Sequence, residues 1–120
     1  MFRNIEFYRT KDQKCPVEDF LGKLAPKESQ KVLWVFRLIE RIDRVPSNYF
    51  KKLIETENIW ECRIPTQKGT YRFFGFFIQG NRLILTHGYS KKTQKIDLRE
   101  IRRAETYKQD YLNRHKGYKP

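Results

Sequence analysis

The sequence has only two cysteines, Cys15 and Cys62. They form no C-x-x-C and have no histidine pair beside them, which excludes a disulfide framework and argues against a zinc site. This usage fits a reducing, cytoplasmic setting. Two histidines and no clustered carboxylates leave no evident ligand set for another metal, so no cofactor is expected. Long apolar runs are missing as well. The longest, residues 32–36 and residues 73–78 (broken by Gly75), fall far short of the ~20 residues that cross a bilayer. The N-terminal residues carry no apolar signal-peptide region. Acidic residues are scarce: 14 Asp and Glu stand against 26 Lys and Arg, a formal net charge of +12.

What is present is enough for a core. The chain has 120 residues, 38% hydrophobic and 15% aromatic, and reads as one domain over residues 1–112 with a basic tail at 113–120. Charge with this much apolar content does not mean disorder. It means an acidic partner: nucleic acid, an anionic membrane surface or an acidic protein. No basic amphipathic helix stands apart from the expected core, which disfavours the membrane. The excess is uneven. Residues 82–120 hold 11 Lys/Arg and 4 Asp/Glu, whereas residues 1–81 hold 15 and 10.

Periodicity gives an α+β order, β-α-α-β-β-β-α, with a further short strand left open at residues 49–54. Ile5-Glu6-Phe7-Tyr8 alternates as a first strand. Pro16 suits the first position of a helix, with Glu18 and Asp19 in its first turn and Val17, Phe20, Leu21 and Leu24 on its apolar side. Pro26 opens a longer helix whose stripe is Val32, Val35, Phe36, Ile39 and Ile42. Arg37, Arg41 and Arg44 lie opposite the stripe, and Pro46-Ser47-Asn48 is its stop signal. The pattern then changes to period two. Trp60, Cys62 and Ile64 share one face, with Ile59, Glu61 and Arg63 on the other. Residues 71–79 are aromatic on both faces, the mark of a central strand. Gly80-Asn81 reads as a hairpin turn, and the next strand places Leu83, Leu85, His87 and Tyr89 on one side. Asp97-Leu98-Arg99-Glu100 is a capping box that starts the last helix, with Leu98, Ile101, Ala104, Tyr107, Tyr111 and Leu112 as its stripe. An antiparallel meander covered by three helices is expected.

Several charged residues stand where charge is costly. Arg63 and Arg72 fall inside apolar strands, and Arg63 shares its face with Glu61, so each is either in an ion pair or at a site. The run His87-Gly88-Tyr89-Ser90-Lys91-Lys92-Thr93-Gln94-Lys95 contains no acid. It combines cations for phosphate, an imidazole, a phenol and small polar donors, with a ring on which a base can stack. Lys51-Lys52 is a second basic step.

These residues carry a resemblance. The series Lys52-Leu53, Ile59-Trp60-Glu61-Cys62-Arg63, Tyr71-Arg72-Phe73-Phe74, Leu85-Thr86-His87-Gly88-Tyr89-Ser90-Lys91-Lys92-Thr93-Gln94-Lys95, Ile101 and Ala104 resembles the phage-derived, HigB-like toxins of the RelE/ParE superfamily. The pattern there is KL, LWELR, G-x-YR, LLHGF-x-KKTQKTP and EI-x-x-A, and the likeness spans roughly residues 5–112. Tyr89 stands where the family usually has Phe, and Ile96-Asp97 where it has Thr-Pro. The resemblance implies a compact RelE-like, microbial-RNase-like fold with a curved antiparallel sheet packed by helices. It implies a type II toxin that cleaves mRNA on the translating ribosome. It also implies a cognate helix-turn-helix antitoxin, with operator DNA reached only through the joint complex.

RNA can be cut without metal because its own 2′-OH attacks the neighbouring phosphate, given cations for the transition state and a group that moves a proton. On that reading Arg63 and Arg72 clamp the scissile phosphate, Lys91 and Lys92 neutralise the developing charge, and His87 is first choice for acid–base work, with Tyr89 as the alternative and Glu61 a further candidate. Lys51, Lys52, Arg82, Thr93 and Lys95 would hold the backbone of mRNA or ribosomal RNA. Two other functions fit the same sequence: a ParE-type toxin that poisons DNA gyrase without nuclease activity, and a non-catalytic RNA-binding module.

Overall fold

Both N-terminal helices begin on proline. The computed structural model describes residues 2–91, 95 and 97–115. In it α1 spans Pro16–Gly22 and α2 spans Pro26–Arg41, each with Pro at its start, no side-chain N-cap bond, and acids in the first turn. Proline has no N–H to satisfy there and its φ is already helical. The stripe of α2 buries Val32, Val35, Phe36 and Ile39. It stops before Ile42, which is extended and exposed. The reason is distant in sequence: the Arg3 guanidinium donates to the carbonyls of Ile39, Ile42 and Asp43 at 2.8–2.9 Å. A cation on the last carbonyls terminates the helix well ahead of Pro46.

The strands are β1 (Asn4–Phe7), β2 (Phe50–Lys52), β3 (Trp60–Thr66), β4 (Gly69–Ile78) and β5 (Arg82–Lys91), followed by α3 (Leu98–Arg114). The short strand left open by the sequence therefore exists, as the edge strand β2. The five strands described form one sheet in the order β1-β5-β4-β3-β2. The meander β2 to β5 is antiparallel as expected, but β1 pairs with β5 in parallel, so the sheet is mixed. The hairpin β4–β5 fixes the direction of β5 and leaves its outer edge free. β1 takes that edge, and α1 and α2 then carry the chain over one face to the far edge, where β2 begins. Arg82 seals the seam, its guanidinium gripping the Glu6 carboxylate through Nε at 2.6 Å and NH2 at 2.8 Å.

β4 lies between β3 and β5 and is covered on both faces. On one face Phe73, Cys62, Ile64, Leu83 and Leu85 pack with the stripes of α1 and α2. On the other, Phe74, Phe76, Ile78 and Ile84 meet Ala104, Tyr107 and Tyr111 of α3. Leu98, expected in the α3 stripe, is instead exposed. The turn between β4 and β5 places Gln79 and Gly80 in the left-handed region, φ 49° and 79°, one residue earlier than the Gly80-Asn81 expected.

The alternation expected for β5 breaks in the middle. Gly75 pairs with Leu85 but Phe74 pairs with His87, so Thr86 is an extra residue. This β-bulge leaves Leu83 and Leu85 facing α1 and α2 and turns His87 and Tyr89 to the α3 face. Just beyond it the Phe73 ring lies flat against Gly88, where an added Cβ would come within 2.3 Å of the ring. Gly88→Ala is therefore expected to lower stability by about 1–3 kcal/mol. Gly22→Ala, where nothing lies within 4 Å, is expected to be neutral or slightly stabilising. Urea unfolding of the two variants checks the contrast.

Candidate functional site

Register assembles a row of side chains across three strands on the α3 face. Arg63 of β3 is opposite Arg72 of β4, and Arg72 is opposite Tyr89 of β5. The neighbouring row is Glu61, Phe74 and His87, with Lys51 of β2 opposite Glu61 at the sheet edge. Two residues on from Tyr89, Lys91 continues the same face opposite Thr70.

Two guanidiniums facing each other would repel, and Glu61 resolves this. Its carboxylate is 1% exposed and accepts from Arg72 NH1 at 2.7 Å, while Arg63 Nε stands 3.8 Å from its other oxygen. Arg72 is itself only 3% exposed. One carboxylate thus stands between two guanidiniums on this face of the sheet. Arg63 is the more accessible of the two. Arg72, expected to clamp phosphate directly, is instead held beneath the surface by its ion pair.

Tyr89 completes the row. Its hydroxyl is buried and has no hydrogen-bond partner among the described residues. Burial pushes its pKa far above the ordinary phenol value; the Arg72 charge pulls the other way, and Glu61, Glu100 and Asp97 add to the rise. It is a neutral donor at neutral pH, without an acceptor among the described residues. Lys91 Nζ stands 3.9 Å from Asp97, which caps α3 by accepting from the Arg99 N–H.

His87 is differently placed from what acid–base work needs. Its side chain is 1% exposed, boxed by Phe74 and Tyr107. Nδ1 lies 3.0 Å from Thr86 Oγ1, and Nε2 lies 3.1 Å from Glu100 Oε1. Burial, helped by the Arg103 charge, lowers its pKa to about 3. The ring is thus neutral, and in the tautomer with Nε2–H donating to Glu100 the Nδ1 lone pair competes with the Phe74 carbonyl, 3.2 Å away, for the single Thr86 hydroxyl proton. Glu100 in turn stands 3.8 Å from Arg103. Glu100, Arg103 and Tyr107 were not evident in the sequence as a set. The D-x-x-E motif reads as a reciprocal cap, but Glu100 turns its carboxylate to His87 instead.

The profile of the phage-derived protein Gp49-like family (DUF891) matches residues 19–109, which include the whole row. The chain belongs to this family. The Gp49-like family is RelE-like and toxin-like, and it suggests a cognate antitoxin as partner. No curated protein matches the sequence. Among the described residues of this Gp49-like chain, no helix is long and apolar enough to cross a membrane.

The remaining expected contacts scatter. Lys51 and Lys52 are exposed on β2, but Lys52 pairs with Trp60 and so lies on the α1/α2 face, away from the row. Arg82 is at the other end of β5 from Lys91, roughly 30 Å along the strand, and is committed to Glu6. Lys95 is exposed, while Lys92 and Thr93 lie outside the described residues.

Glu61→Ala takes the carboxylate from between two guanidiniums, and a loss of about 3–5 kcal/mol is expected on denaturant unfolding. Combining Glu61→Leu with Arg72→Met should recover most of it. His87 makes a pH-dependent contribution of known sign. The unfolded chain binds a proton near 6.5 and the folded chain only near 3, so its contribution is complete above pH 6.5 and declines as the pH falls towards 3. Between pH 7.5 and 4.5 the wild type should lose about 2 kcal/mol more than His87→Gln, read by urea unfolding at both values.

Proposed function

We propose that this Gp49-like chain is the toxin of a type II toxin–antitoxin pair, of the HigB-like branch, and that it cleaves mRNA in the cytoplasm on the translating ribosome without a metal ion. The observation that carries the reading is the row Arg63–Arg72–Tyr89 across β3, β4 and β5, in which a phenol whose hydroxyl has no acceptor among the described residues stands beside two guanidiniums. A phosphodiester offers acceptor oxygens to the phenol and negative charge to the guanidinium nearer the surface.

The 2′-oxygen of RNA attacks the adjacent phosphorus, the bond to the 5′-oxygen breaks, and the products are a 2′,3′-cyclic phosphate and a 5′-hydroxyl. Arg63, with Lys91 and Lys92, takes the non-bridging oxygens as charge builds. Arg72 acts from beneath, pairing with Glu61 and opposing at Tyr89 the negative charge of Glu61, Glu100 and Asp97. Tyr89, protonated across the working range, donates to the leaving 5′-oxygen, and the 2′ proton passes to water. His87 shapes this floor rather than moving the proton. Lys51 and Lys95 lie exposed where they can hold RNA backbone.

The burial of Arg72 and His87 favours a second reading, a ParE-type toxin that acts on DNA gyrase without cutting RNA. Primer extension on an mRNA in a translating extract separates the two. Cleavage at ribosome-positioned sites is expected, reduced roughly 100-fold in Arg63→Ala and in Tyr89→Phe. The rate should show no inflection near pH 6.5 from His87. Intact mRNA together with gyrase-linked DNA breaks would replace this reading with the second.

A further inference from the structure

The outward face of α2 has no role in the site above. Trp34 is 62% exposed and Leu33 beside it 44% exposed, in a helix whose other large apolar side chains are mostly buried. Around Trp34, at spacings of three, four and seven residues, stand Lys27, Gln30, Lys31, Arg37 and Arg41, all exposed. No acid falls on this arc. The two acids of the helix are turned to its flanks: Glu40 accepts the Ile5 N–H at 2.9 Å, and Glu28 engages Tyr71. Lys31 is turned to the Pro65 carbonyl at 2.6 Å; an exposed tryptophan next to an exposed leucine, bordered by Lys27, Arg37 and Arg41, has the anatomy of an interface centre and rim, an aromatic anchor inside a charged border.

We propose that this face of α2 is the docking surface for an acidic protein partner, whose facing surface is an apolar pocket bordered by Asp and Glu. Charge complementarity selects the partner's sign. The Leu33–Trp34 pair selects a protein over a nucleic acid, since a base can stack on Trp34 but has no use for Leu33. The location has a consequence. The buried side of α2 packs on Cys62 and Phe73, on the opposite side of the sheet from Arg63 and Tyr89, so a partner seated on Trp34 leaves that row uncovered. Identifying the partner as the cognate antitoxin rests on the toxin reading; the surface itself does not.

The test uses the full chain and two probes: the cognate helix-turn-helix antitoxin that the toxin reading implies and a 12-nucleotide single-stranded RNA. Calorimetry should show antitoxin affinity falling roughly 30-fold or more in Trp34→Ala, and falling also in Arg37→Glu with Arg41→Glu. RNA binding should be little changed by Trp34→Ala. In a Trp60→Phe background Trp34 is the sole tryptophan, and its emission should shift to shorter wavelength on adding antitoxin but not on adding RNA. Circular dichroism confirms that the variants fold. Antitoxin binding that is absent, or equal for wild type and variants, overturns the proposal. So does a Trp34 shift seen with RNA and not with antitoxin, which would make the face a nucleic-acid surface. mRNA cleavage by the free chain is read separately, so failure here and failure of the nuclease reading are distinguishable.

Discussion

One inserted residue in β5 organises this molecule. A strand in the sheet must keep its aliphatic side chains on the α1/α2 layer, and strict alternation would have sent His87, Tyr89 and Lys91 there with them. The bulge at Thr86 reverses the phase after Leu85. Everything on the α3 face follows. Tyr89 comes level with Arg72, His87 comes level with Phe74 and within reach of Glu100, and Lys91 comes near the Asp97 cap. Gly88 is the corollary on the opposite face, where the Phe73 ring occupies the space a side chain would need.

Electrostatics under the sheet then sorts the charged residues into those that support and those that can meet a ligand. Glu61 neutralises one guanidinium's worth of charge while standing between two. Such a buried arrangement is held by complementarity more than by net stabilisation, because desolvation offsets most of the attraction. What remains nearer the surface is Arg63, with Lys91 further along the face, beside a phenol that stays protonated. His87 has been spent on the interior, as a neutral ring that ties β5 to α3 through Glu100. That arrangement suits a site that stabilises a phosphodiester by fixed charge better than one that depends on an imidazole changing its protonation.

The charge of the chain also divides between the two layers. Cations near the row lie on the α3 side of the sheet, and the acid-free face of α2 lies on the other. A chain with +12 net charge therefore offers two separate basic surfaces, one polar and set around a phenol, the other centred on an exposed indole. The first is the surface proposed for RNA, the second the surface proposed for a protein partner.

Local patterning was sufficient for much of this. Proline at the starts of α1 and α2, the 3–4 spacing of Val32, Val35, Phe36 and Ile39, and the two-residue period around Trp60, Cys62 and Ile64 each report contacts made within a few residues. The element order, the two-sided central strand and the Asp97 cap were legible for that reason. The pairing of Arg63, Arg72 and Glu61 was visible as charge inside apolar strands, though not its geometry. Four features were set only by contacts between distant segments. β1 joins β5 in parallel because that edge is the free one. α2 stops at Arg41 because Arg3 reaches its carbonyls. Arg82 is taken by Glu6, and His87 is buried because a bulge no alternation rule anticipates turns it under α3. Sequence spacing carries the period of a helix or strand. It does not carry which edge is open, where a strand gains a residue, or which acid a cation will meet, and those decided which side chains this protein has free to use.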